Sequence, residues 1–225
     1  MNIAKRLTAE AIGTTLLLAT VVGSGIMGER LAGGNTAIAL LANTLATGAG
    51  LVVFILAFGP ISGAHFNPVV TFAEAWHGRI TRRDALFYVL AQIIGAFIGV
   101  ATAHLMFSEP LFSVSHHVRS GGAQWWSEFI ATFGLLSVIG GCSNHRKSAV
   151  AFAVGAYITA AYWFTASTSF ANPAVTLARA ATNTFTGIRL TDTPGFIAAQ
   201  LLGAISAVLL LRWLTSSLPE NNTHT

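Results

Sequence analysis

Uncharged positions run in long blocks along this chain, and the charged ones fall between them. The blocks cover residues 11–28, 31–73, 85–108, 129–145, 148–178 and 193–211. A membrane-crossing helix needs about 20 predominantly apolar residues, and four of the blocks have that length. The blocks 31–73 and 148–178 are too long for one span and lack the charged loop that two full spans would need. Each accommodates one span plus a half-length segment that re-enters the membrane. The pattern predicts six transmembrane helices near 7–27, 36–58, 85–107, 125–142, 148–167 and 193–213, with half-helices near 67–76 and 172–181.

The two halves carry the same motifs in the same order. Ala9-Glu10-Ala11-Ile12-Gly13-Thr14 matches Ser127-Glu128-Phe129-Ile130-Ala131-Thr132. Asn67-Pro68-Val69-Val70-Thr71 matches Asn172-Pro173-Ala174-Val175-Thr176, and Ala91-Gln92 through Ala96 matches Ala199-Gln200 through Ala204. Three spans per half is an odd number, so the second copy must be inverted in the membrane. One domain, 1–225, with repeats at about 1–110 and 120–215, is expected. Inverted repeats place functional sites near the midplane, at broken helices, and both Asn-Pro motifs fall in the two overlong blocks.

Asn is a strong N-cap and Pro suits the first helical position. Asn67-Pro68 and Asn172-Pro173 therefore start short helices. The residues before them, 62–66 and 168–171, are expected as extended backbone, tolerated at membrane depth only inside protein or beside water. A polar path with two helix N-termini at its centre follows, each carrying about half a positive charge. Neutral hydrogen-bonding solutes pass such a path, while cations meet an electrostatic barrier.

Composition narrows the class. Only 9% of residues are charged, against roughly 25% in an ordinary soluble domain, and mean hydropathy is +0.65. A disordered chain and a disulfide scaffold are excluded, and a soluble enzyme is opposed. Cys142 is the single cysteine and can form no intrachain disulfide or cysteine metal cluster. An N-terminus in the cytoplasm puts Lys5, Arg6, Arg79, Arg82, Arg83, Arg146, Lys147 and Arg212 inside, and Arg30, Arg119, Arg179 and Arg189 outside, as the positive-inside rule favours. Trp125 and Trp126 then lie at the outer interface. The basic balance has this topological origin, so no nucleic-acid partner is expected. Lys5 and Arg6 before an apolar stretch resemble a signal peptide, but Glu10 interrupts that stretch and a retained span fits better.

These motifs resemble the aquaporin/aquaglyceroporin (major intrinsic protein) family over nearly the whole chain. Ser62-Gly63-Ala64-His65-Phe66-Asn67-Pro68-Val69 is similar to its first re-entrant loop, with Val69 where the family usually has Ala, and Asn172-Pro173-Ala174 matches its second signature. The resemblance implies an all-α membrane protein, an aquaporin fold of six spans and two half-helices. It also implies one pore per subunit, a homotetramer in the bilayer of a bacterial inner membrane with both termini cytoplasmic, and no cofactor, metal or enzymatic activity. By resemblance, Glu10 and Glu128 brace the re-entrant loops, and His65, Phe66 and Phe170 line the pore wall. His116, His117 and Arg119 are read as a solvated outer loop.

The family's outer constriction uses four positions, which spacing assigns here to Thr47, Ala160, Ser169 and Val175. Water-selective members typically carry an aromatic, His and Arg at the first, second and fourth. The assignment implies a wide filter of small residues with no fixed cation, passing water, polyols such as glycerol, and metalloid hydroxides such as arsenite. The Thr47 and Val175 pair is similar to an arginine-lacking branch associated with bacterial arsenic-resistance operons, which adds methylated arsenicals. Arg179, one turn beyond Val175, either faces the outer vestibule or binds carbonyls at its helix end, and the second is favoured. The alternatives are a mainly water-conducting aquaporin and an alternating-access carrier, whose coupling charges could only be Glu10, Glu74 or Glu128. A junction protein on the same fold would need bulky filter residues.

Overall fold

A computed structural model describes residues 2–216, apart from the side chains of Asn144 and His145; Met1 and 217–225, and with them the expected placement of both chain ends, lie outside the described residues. The helices are α1 (Ile3–Leu31), α2 (Thr36–Ser62), α3 (Pro68–Trp76), α4 (Arg82–Phe107), α5 (Gly122–His145), α6 (Val150–Phe164), α7 (Pro173–Arg179) and α8 (Thr193–Thr215). Six are spans, and α3 and α7 are the half-helices that the overlong blocks predict.

Side-chain caps set where α2 and α4 begin. Asn35 accepts from the Ala37 and Ile38 amides at the start of α2, and Thr81 from the Asp84 amide at the start of α4. These contacts satisfy donors that a helix start leaves open. The spans are apolar around most of their circumference, so Leu45, Val53, Leu90, Ile98, Phe152 and Leu209 remain exposed on the lipid-facing side. The fifth span is short: α6 has 15 residues, about 22 Å at the helical rise. A 3-10 turn, Lys147–Ala149, precedes it, and a turn in which the Thr168 amide donates to the Thr165 carbonyl follows it. The predicted span 148–167 thus ends early, leaving seven residues before Asn172 where α2 leaves four before Asn67.

Packing repeats between the halves. α1 lies along α4 as α5 lies along α8, and α2 against α6 joins the two halves. Glycines make the closest approaches possible. A methyl group at Gly95 would overlap the Ala11 carbonyl of α1, and one at Gly203, the matched position, would overlap the Phe129 carbonyl of α5. Each half-helix packs on the spans of both halves, and α3 and α7 meet at the centre of the bundle.

Candidate functional site

The centre is built by two short segments that would be costly to leave unbraced. Before Asn67, Ala64 and Phe66 adopt left-handed backbone (φ 49° and 48°); before Asn172, Ser169 and Ala171 do the same (φ 51° and 47°). Non-glycine residues in that region carry roughly 1 kcal/mol of strain or more each. Their amides also face inward at membrane depth, where no bulk water can satisfy them.

Two buried carboxylates supply the acceptors. Glu10 accepts from the Ser62 hydroxyl (2.6 Å), the His65 and Phe66 amides (3.0 and 2.8 Å) and Gln92 Nε2 (2.8 Å). Glu128 accepts from the Phe170 and Ala171 amides (2.8 and 2.9 Å) and Gln200 Nε2 (2.6 Å). Each glutamine also donates to the half-helix: Gln92 to Thr71 Oγ1 and Gln200 to Thr176 Oγ1, both at 2.9 Å. The Glu, Asn-Pro and Gln motifs of each repeat therefore form one hydrogen-bonded unit.

The asparagines close the centre on each other. The Asn67 side-chain oxygen caps α3 through the Val69 amide, and Asn172 caps α7 through the Ala174 and Val175 amides. Asn67 Nδ2 donates to the Ala171 carbonyl (2.8 Å), and Asn172 Nδ2 to the Phe66 carbonyl (2.9 Å). Each loop is thus held by its own glutamate and by the other loop's asparagine. Each amide retains one further N–H. Pro68 and Pro173 take the first helical positions. Val69 and Ala174 are fully buried in apolar packing and serve the core.

A cavity of about 240 Å³ runs past these asparagines. At the α3 end it reaches Glu74 and Val150; at the α7 end it reaches Thr47, Tyr162, Ser169, Val175 and Arg179. His65, held by Thr71 Oγ1 at 3.0 Å, lines it together with Phe66 and Phe170. Phe66 is wedged against Gly13 of α1 and meets Phe58 edge-on. The Ser169 hydroxyl is buried without a hydrogen-bond partner among the described residues.

Three expectations are corrected at the α7 end. Ala160 is exposed on the outside of α6 and does not border the cavity. The α6 positions that do are Val150, Val154, Ile158 and Tyr162, four residues apart on one face; Ala160 lies about 200° of helix rotation from Ile158. Counting back from Asn172 misses this because α6 ends at Phe164 and a longer loop follows. The filter region is consequently not all small, since the Tyr162 hydroxyl lies 3.4 Å from Thr47 Oγ1. It is also not free of fixed cations. Arg179 is 2% exposed, donates through Nε to the Thr186 carbonyl and stacks 3.4 Å from the Phe170 ring centre. It binds a carbonyl and borders the cavity at once, so both readings of it hold.

Arg119 is not a solvated loop residue either. Its Nε donates to the Gly187 carbonyl (2.8 Å), its Nη1 to the Ser167 carbonyl (3.2 Å), and its guanidinium lies 5.1 Å from the Phe170 ring centre. The loop between α4 and α5 is laced to the segment after α7. The Ser113 and Ser115 amides donate to Ala181 and Ala180, the Arg189 amide to His117, and the Arg119 amide to Asp192. His116 stays exposed, its amide bound by Asn183. Outside the cavity, a vestibule of about 430 Å³ shares Arg179 with it and adds Arg119, His117, Asn43 and Glu29.

The other mouth is neutralised. Arg79 clasps Glu74 through Nε and Nη2 (2.5 and 2.6 Å), and the carboxylate holds the Arg79 guanidinium more firmly protonated. Arg6 pairs with Asp84 at 3.3 Å and donates to the Tyr88 hydroxyl. Among the described residues no cluster of three metal-ligating side chains occurs.

The comparisons with known proteins agree with this architecture. The family model described as "Major intrinsic protein" matches residues 1–149 and 141–225. The aquaglyceroporin AqpS of Rhizobium meliloti (strain 1021) is 58% identical over 214 residues, covering 95% of this chain and 91% of that protein. A probable TIP-type aquaporin of Medicago truncatula is 34% identical, covering 74% and 71%. The X-ray structure of the aquaglyceroporin from Plasmodium falciparum superposes with a TM-score of 0.71 at 20% identity over 96% of this chain and 97% of that one, a likeness of fold. With the family matched along both halves of the chain, this protein belongs to the major intrinsic proteins, membrane channels for water and small solutes, and is a transporter and not an enzyme.

Proposed function

We propose that the chain is a passive channel for small neutral solutes beyond water: polyols such as glycerol, urea-like molecules, and metalloid hydroxides such as arsenite and methylated arsenicals. The observation that carries this reading is Val175 on the cavity wall, where a family filter would place an arginine. The constriction is then formed by Thr47, Tyr162, Ser169 and Val175, with Arg179 one turn further along α7 on the same cavity wall. Pore width and lining groups decide selectivity. Ser169 Oγ and the free N–H of each asparagine offer hydrogen bonds to a passing solute, and carbonyls of the two loops offer acceptors. The α3 and α7 N-termini and the two arginines oppose cations.

A mainly water-conducting pore is the second reading, and the reach of Tyr162 toward Thr47 favours it. Stopped-flow uptake by reconstituted vesicles separates the two. The first expects glycerol and arsenite fluxes that rise linearly with concentration; the second expects water flux alone. We further propose one pore per subunit, with the subunits assembled as a homotetramer in a bacterial inner membrane. Both chain ends then lie in the cytoplasm and the α7 mouth faces outward, in keeping with the Lys and Arg bias among the loops. Native mass spectrometry measures the assembly, and protease accessibility of tagged ends in oriented vesicles measures the topology.

A further inference from the structure

We propose that Arg119 and Arg179 together form a binding site for small oxyanions, of the carboxylate type, at the α7 mouth. The two cations approach one ring: their guanidinium carbons lie 5.1 and 3.4 Å from the centre of Phe170, so their separation is bounded by the sum of those distances. Neither pairs with a carboxylate among the described residues. Asp192 takes the Arg119 backbone amide and the Arg189 side chain, leaving the Arg119 guanidinium without it. Glu29 is the one carboxylate on the vestibule wall among the described residues, and it is exposed.

The protein positions these cations without neutralising them. Arg119 spends Nε and Nη1 on the carbonyls of Gly187 and Ser167, with Thr168 Oγ1 at 3.5 Å, and Arg179 spends Nε on Thr186. Nη2 of Arg119 and both Nη groups of Arg179 have no protein acceptor among the described residues. Two adjacent guanidiniums, one of them 2% exposed, carry a desolvation cost that an anion would offset. Their planar forks match the paired oxygens of a carboxylate or similar oxyanion. His117, on the same wall, is pushed toward its neutral form by burial and by Arg119, so at neutral pH the positive charge of the site is the arginines'. The matched position in the other repeat makes the contrast: Glu74 stands where Arg179 does, and Arg79 neutralises it.

The proposal uses the channel reading only for the location of the site at a pore mouth, so its test reads binding and not flux. The probe is trifluoroacetate, followed by 19F line broadening on the purified full chain, with trifluoroethanol as the neutral control. Saturable broadening is expected for the acid anion only, weakened at least tenfold in Arg119→Gln and weakened less in Arg119→Lys, which keeps the charge and loses the planar fork. Arg83→Gln, on the opposite mouth, should bind as wild type does. Should Arg119→Gln not fold, the wild type still decides: the 15N-labelled Nε signals of Arg119 and Arg179 must shift together during the titration. Non-saturable broadening, or equal binding by the Gln and wild-type proteins, or shifts confined to other arginines, would overturn the site. A separate urea-uptake assay on the same preparation reports whether the pore itself conducts.

Discussion

The two re-entrant loops share one design and end in opposite chemistry. Each is a short strained segment held by a buried glutamate, capped by its own asparagine and tied to the other loop by that asparagine's amide. Beyond this centre the copies diverge. The first loop is short, and its half-helix carries Glu74 in its last turn, with a bound arginine. The second is longer, and its half-helix ends at Arg179, joined by Arg119 from another loop and without a paired carboxylate among the described residues. The lesson is that the shared part solves a problem common to both loops, unsatisfied backbone at membrane depth. The divergent part has no such constraint and is free to set what enters the pore.

The sharpest way to break the shared part is to remove a brace. Glu10→Ala strands four donors and Glu128→Ala three. Each unsatisfied buried donor costs about 1–3 kcal/mol. Both variants should lose at least about 3 kcal/mol, with Glu10→Ala the worse by roughly 1 kcal/mol. Thermal unfolding in detergent measures both; equal stability to wild type would show that the loops hold themselves.

The divergent part is probed at the constriction. Val175→Arg should suppress glycerol and arsenite uptake roughly tenfold while reducing water flux much less, since it narrows the filter. Tyr162→Ala should act in the other direction, raising glycerol relative to water by roughly threefold. Vesicle swelling rates read both; a Tyr162→Ala ratio equal to wild type would remove Tyr162 from the filter.

The smallest effect belongs to the α3 mouth. Arg79→Ala breaks an ion pair whose arginine side chain is half exposed, so the stability change should stay under about 1 kcal/mol. It would uncover Glu74 and make that mouth attractive to cations, raising the sensitivity of solute uptake to added divalent salt. Unchanged salt sensitivity would show that Glu74 does not face the permeating path.

What was legible in the sequence follows the same division. The spans, the half-helices and the matched Glu, Asn-Pro and Gln motifs could be read because each rests on local pattern repeated twice. The filter position on α6 could not be found by counting from Asn172, because helix end and loop length decide which side chain faces inward. The four-residue spacing of Val154, Ile158 and Tyr162 was the available signal. Arg119 lies 60 residues before Arg179 in the chain. It reaches the pore mouth through hydrogen bonds between loops distant in sequence, such as the backbone bonds of Ser115 and Arg189 and its own bonds to Gly187 and Ser167, and no local pattern encodes them.

The central claim is that this pore conducts neutral solutes larger than water through a filter with valine at 175. Its most direct test is the ratio of glycerol to water permeability in vesicles carrying wild type or Val175→Arg at matched protein content. The account predicts a substantial wild-type glycerol flux, linear in concentration, and a clear fall in the ratio for Val175→Arg. A wild-type protein that passes water but no glycerol, or a ratio untouched by the arginine, would contradict it.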